Sequence, residues 1–120
     1  MEACEQTAIL PAAAAAAYST NWQAPKTFRE FFESRCKQWA DRVAIDEPVP
    51  DPGADWDARR ELTYGRMLEN GYALGAWMRE HGVRAGDKVA VGGHNSAGWV
   101  TSFVACHLIG AVPVLLNSTL

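Results

Sequence analysis

No Asp, Glu, Lys or Arg occurs between Val89 and Leu120. Within that stretch Trp99, Val100, Phe103, Val104, Cys106, Leu108 and Ile109 point in nearly every direction around a helix, with Thr101, Ser102 and His107 as polar interruptions. A helix that is apolar all round is buried in protein or lies in a membrane. A membrane span needs about 20 uninterrupted apolar residues, whereas His107, Gly110 and Pro113 break this one. Burial in protein is therefore expected. Asn95 or Ser96 can cap the helix and Gly110 can end it, while Lys88–Val91 before it and Val112–Leu116 after it read as strands. A strand, helix, strand unit makes its strands parallel, and parallel sheets need cover on both faces. An exposed apolar sheet edge is expected unless other elements cover it.

The preceding residues supply part of that cover. Thr27-Phe28-Arg29-Glu30 has the form of a capping box, in which the Thr hydroxyl and the Glu carboxylate each satisfy a backbone N–H of the first helical turn. Phe28, Phe31, Phe32, Cys36 and Trp39 then recur at helical spacing, the pattern of a core-facing stripe. Arg42–Asp46 reads as a short strand. Pro48 through Arg60 reads as a loop, because Pro48, Pro50 and Pro52 lack the N–H that a ladder needs. A second helix is expected from Tyr64 to His81, with a stripe of Tyr64, Met67, Leu68, Gly71, Leu74, Gly75 and Met78 and with Gly82 as its left-handed end. Gly71 and Gly75 weaken that helix by about 1 kcal/mol each relative to Ala, so a close backbone approach is expected there.

Composition bounds the functional classes. The 120 residues are 48% hydrophobic and 21% charged, the ordinary range for one globular domain. A net charge of −3 and the lack of any basic cluster exclude the electrostatic footprint of nucleic-acid binding. Cys4, Cys36 and Cys106 are odd in number and widely spaced, which suits a reducing compartment better than a disulfide framework or a metal knuckle. Residues 1–26 read as a flexible leader: Ala12–Ala17 imitates the apolar part of a signal peptide, but Glu2 and Glu5 stand where positive charge is required. Ser118-Thr119-Leu120 resembles the peroxisomal Ser-Lys-Leu address but lacks its lysine, so the cytoplasm is the expected location and the peroxisome the weaker alternative.

Few residues invite a chemical role. Gly93-His94-Asn95-Ser96-Ala97-Gly98 has the two glycines of a phosphate loop, but Trp99 and Val100 occupy the positions of its Lys and Ser/Thr. The segment Gly92–Ser96 still joins a parallel strand to a helix N-terminus, where α/β proteins often bind anions; a plain helix cap is the simpler expectation. Cys106 and His107 are neighbours on a helix, point about 100° apart and cannot act as nucleophile and base. His81 suits a helix C-terminus electrostatically and needs no ligand role. Asp51, Asp55 and Asp57 lack the glycine and glutamate spacing of a calcium loop.

The order of motifs carries more information than any one of them. Glu61-Leu62-Thr63-Tyr64, the helix Leu68–Gly82, Gly82-Val83-Arg84-Ala85-Gly86-Asp87-Lys88-Val89-Ala90-Val91, Asn95-Ser96, and Ile109-Gly110-Ala111-Val112-Pro113-Val114-Leu115-Leu116-Asn117 together resemble the opening of the AMP-forming adenylate-forming family. That family includes acyl-CoA synthetases, peptide-synthetase adenylation domains and luciferases. The resemblance covers residues 27–120 and implies an α/β fold, a partial layered sheet with helices that forms the N-terminal portion of the family's large domain. Asn117 replaces the acidic residue usual in peptide-synthetase domains and leans toward a CoA ligase. Gly65 and Arg66 depart from the family pattern of a small residue and Glu, placing a cation in the positive first turn of the helix.

The implied reaction has two steps. ATP and a carboxylic acid, such as a fatty acid, give an acyl-adenylate and pyrophosphate; a thiol such as CoA then displaces AMP. ATP, Mg2+ and CoA are thus the cofactors implied for the full-length family. Its Ser/Thr/Gly-rich loop ending in Pro-Lys-Gly, its pocket residues and its catalytic lysine would all lie after Leu120. No catalytic, cofactor-binding or metal residue is assigned within the chain. Residues 27–120 are expected to be an incomplete N-terminal segment of an AMP-dependent synthetase/ligase domain, inactive alone. The alternative is a free-standing, non-catalytic α/β binding or regulatory module derived from that family.

Overall fold

A computed structural model describes residues 27–49, 53 and 58–117. The leader over 1–26, the acidic group Asp51, Asp55 and Asp57, and the end of the sequence over 118–120 lie outside the described residues. The elements run α1 (Phe28–Gln38), β1 (Val43–Pro48), β2 (Arg59–Thr63), α2 (Tyr64–Glu80), β3 (Lys88–Val91), α3 (Ala97–Ile109) and β4 (Val112–Leu115).

Each described helix starts at a hydroxyl. Thr27, Thr63 and Ser96 cap α1, α2 and α3, accepting the backbone N–H of Glu30, Arg66 and Trp99 respectively. The helix ends also follow the glycines: Gly82 (φ 97°) turns the chain after α2, and Gly110 (φ 77°) closes α3. In both places the next residue donates back into the helix, Val83 to the Met78 carbonyl at 3.0 Å and Ala111 to the Cys106 carbonyl at 2.9 Å. These bonds satisfy carbonyls that a helix end otherwise leaves open. Arg66 does stand in the first turn of α2, where its guanidinium pairs with Glu69 at 2.9 Å.

The hairpin β1–β2 departs from the sequence expectation. The loop assigned to Pro48–Arg60 is shorter, because β1 reaches Pro48 and β2 begins at Arg59, with Pro48 opposite Arg59 and Glu47 opposite Arg60. The missed strand has no apolar alternation to reveal it. Its residues Arg59 and Arg60 are instead matched to the acidic Asp46 and Glu47 of β1, Arg59 Nε lying 2.7 Å from Asp46 Oδ1. Opposite charges across an antiparallel pair stabilise it without burial.

The charge-free segment folds as expected, with β3 and β4 parallel and α3 crossing between them. That helix forms the centre of the molecule. On one side Val104 and Leu108 join Cys36 of α1 and Met67 and Leu68 of α2. On another, Ala105 and Cys106 join Met78, Val91 and Ala111. Gly71 and Gly75 face α3 so closely that a Cβ at Gly71 would lie 3.0 Å from Val104 Cγ1 and Leu108 Cδ1, and one at Gly75 would lie 2.8 Å from Ile109 Cγ2. The close helix approach anticipated from those glycines is present. The β3–β4 pair is less covered by the described residues, with Val112 and Val114 of β4 47% and 41% exposed. Among the described residues no helix is long and apolar enough to cross a membrane.

Candidate functional site

The junction between β3 and α3 is the place where the sequence most resembled a ligand site. Val91 ends the strand, Gly93 turns with φ 119°, and Ser96 caps the helix through its hydroxyl, 3.2 Å from the Trp99 nitrogen. Helix N-termini attract anions because their first N–H groups lack intrahelical acceptors and the helix dipole is positive there. Here the anion is part of the protein. Glu47 reaches from β1 and accepts the Ala97 N–H through Oε2 at 2.7 Å, while its Oε1 accepts from Arg60, with Nε at 3.1 Å. The Arg60 guanidinium, and after it the Ala97 N–H, hold the Glu47 carboxyl below the usual range for glutamate. The Ser96 hydroxyl and the Glu47 carboxylate thus satisfy the helix end, which is a structural cap. A triphosphate does not fit these residues: a carboxylate already fills the receptive position and would repel it.

An open groove of ≈ 550 Å³ borders this junction, lined by Arg60, Leu62, Asn70, Leu74, Thr101 and Ser102. Ser102 donates to the Gly98 carbonyl at 2.8 Å, and the Arg60 head is engaged by Glu47. The groove has no concentration of titratable groups. It offers shape without chemistry.

The other residues singled out in the sequence have structural surroundings. Cys106 is fully buried and its thiol is pushed up by burial; burial likewise pushes the Cys36 thiol up, to about 11, and neither is poised as a thiolate nucleophile. His107 instead faces α1, its ring 4.3 Å from Phe28 and 4.6 Å from Phe103, and burial lowers its pKa. The two neighbours are thus turned to different partners. His81 caps α2, stacks on Trp77 at 4.1 Å and places Nδ1 2.8 Å from the Trp77 carbonyl oxygen. Among the described residues no three His, Cys, Asp or Glu side chains converge on a metal position.

Glu47 and Arg60 are the residues that sequence reasoning missed. Their alternation with Asp46 and Arg59 was visible as complementary charge, but the contact with Ala97 spans 50 positions and has no local signature.

Comparison with known proteins accounts for a scaffold of this kind. The described helices and small sheets have the fold of the N-terminal subdomain of adenylate-forming enzymes: the Klebsiella oxytoca NpsA N-terminal subdomain aligns with a TM-score of 0.66 and 28% identity over 80% of this chain and 23% of that one. Residues 32–120 match the AMP-binding enzyme family, and the chain belongs to it. It is 36% identical over 81 residues to a 3-aminoavenalumate diazotase of Streptomyces, covering 63% of this chain and 14% of that protein. It is also 30% identical over 104 residues to a chloroplastic long-chain-fatty-acid–[acyl-carrier-protein] ligase of Arabidopsis thaliana, covering 87% of this chain and 13% of that protein. The chain therefore spans about one-seventh of the length of these curated relatives.

Proposed function

We propose that this chain supplies the N-terminal scaffold of an ATP-dependent, AMP-forming acid ligase of the acyl-CoA synthetase type, and that it makes none of the reacting contacts itself. The family match over residues 32–120 carries the reading. The filled N-terminus of α3 supports its second half, since the position most receptive to an anion is satisfied by Glu47. In the whole enzyme the substrates would be a carboxylic acid, ATP with Mg2+, and CoA or a carrier-protein thiol. The free, buried thiols of Cys36 and Cys106 suit a reducing location such as the cytoplasm.

The test is carboxylate-dependent exchange of pyrophosphate into ATP, measured on the purified 120-residue chain with fatty and aromatic acids. No exchange above the protein-free blank is expected. Exchange that saturates with one of the acids would overturn the scaffold reading and locate chemistry inside these residues.

A further inference from the structure

The Glu47 contact adds a polar tie at the outer end of the β1–β2 hairpin, whose inner end is already seated on the core through Ala44, Ile45 and Leu62. Glu47 belongs to the hairpin β1–β2, whose ladder is not continuous with the β3–β4 sheet. Its carboxylate is bidentate in effect: one oxygen is held by Arg60 within the hairpin and the other by the Ala97 N–H at the head of α3. The Glu47 side chain is largely shielded, 13% exposed, although its strand lies on the outside of the molecule. A charged acceptor at a helix N-terminus makes a shorter and stronger hydrogen bond than a neutral one, and this one lies at 2.7 Å. The neighbouring ion pairs do not make this connection: Asp46 and Arg59 pair with each other within the hairpin, and Arg66 of α2 pairs with Glu69 on its own helix.

We infer that Glu47 is a conformational latch, an internal carboxylate that occupies the N-terminus of α3 and fastens the outer end of the β1–β2 hairpin to the strand–helix–strand unit, so that neutralising it frees that end while the helical core stays folded. The groups facing the carboxylate are Arg60 from β2 and the N-terminal N–H of α3, both of which favour its charged form. Its folded pKa is therefore depressed, and the latch is closed above the ordinary glutamate range. It opens as pH falls through the lower, folded value. The inference does not rest on the scaffold reading, because it concerns contacts within this chain alone.

Amide NMR of the 120-residue chain tests it. In the native protein the Ala97 amide resonance should move on acidification with a midpoint below 4.5, the ordinary glutamate value, and E47Q should abolish that movement. At neutral pH, E47Q should speed hydrogen exchange of the β1–β2 ladder by roughly tenfold relative to α2 and α3, the scale on which a charge-assisted bond outweighs its neutral counterpart. R60Q should loosen the same ladder, and the double variant E47Q/R60Q should add little to either. An Ala97 resonance that does not titrate overturns the latch, and this arm needs no variant to fold. So does a ladder in E47Q that remains as protected as before, or one that loosens only in step with the helices. Additive effects of E47Q and R60Q would show two independent contacts and would also overturn it.

Discussion

The charge-free segment has two parts with opposite fates. The helix α3 is enclosed, with Val104, Ala105, Cys106 and Leu108 all buried against α1, α2 and β3. The strand β4 follows after one turn and is equally apolar, yet Val112, Val114 and Leu115 are exposed. Composition does not separate the two. Supply of partners does: α3 lies between two amphipathic helices and a strand, while the described residues leave Val112 and Val114 on one face of β4 about half exposed. Apolar sequence thus states a demand for cover, and the contacts of a given segment decide whether the demand is met.

The largest effect should come from forcing α2 and α3 apart. A side chain at Gly71 enters space held by Val104 and Leu108, both 3.0 Å from a Cβ there. Overpacking a close-packed core costs about 1–3 kcal/mol, occasionally more, and exceeds the gain of up to about 1 kcal/mol from replacing a helical glycine. Gly71→Leu should therefore lower stability by at least ~2 kcal/mol in urea unfolding followed by circular dichroism. Unchanged stability would mean that the enclosure of α3 does not depend on this contact.

One chemical change placed in both regions measures their difference directly. Val→Thr keeps the shape and adds a hydroxyl, which is costly only where water is excluded. Val104 is 2% exposed and Val112 47%. Val104→Thr should destabilise by about 1–3 kcal/mol, and Val112→Thr should stay within ~0.5 kcal/mol of the parent. Equal losses at the two positions would show that the face of β4 is covered in solution.

The same contrast explains what could be read in the sequence. The position of α3, its Ser96 cap and its Gly110 end, the α2 stripe and the parallel pairing all follow from local pattern, because capping, periodicity and chain reversal act within a few residues. The close approach at Gly71 was legible for a related reason: two helix-weakening glycines one turn apart call for a compensating contact. Strand β2 was not legible, since its exposed Arg59 and Arg60 are matched to Asp46 and Glu47 on the opposite strand and are not held by burial. Nor was the role of Glu47 at the head of α3. Its partner Ala97 contributes only a backbone N–H, which every residue but proline has, so no residue type advertised the contact.

The smallest effect concerns the third side of α3, where His107 meets α1. Its ring sits against Phe28 and Phe103, and burial disfavours the charged form, so its folded pKa lies below the ordinary 6.5. The unfolded chain then binds more protons than the folded one as pH falls below that value. The stabilising contribution is complete above about 6.5 and is lost as pH falls through the folded value. Thermal midpoints should accordingly decline as the pH is lowered from 7.5 toward 5, and His107→Gln should flatten that decline. Glu33 supplies an internal control, because the Tyr72 hydroxyl, 2.5 Å away, is the largest influence holding its carboxyl below 4.5, so that its loss begins only at lower pH. Tyr72→Phe should therefore reduce the acid loss below 4.5 and leave the interval above it unchanged. If His107→Gln keeps the full slope between 7.5 and 5, the enclosure of α3 on this side is not what keeps the ring neutral.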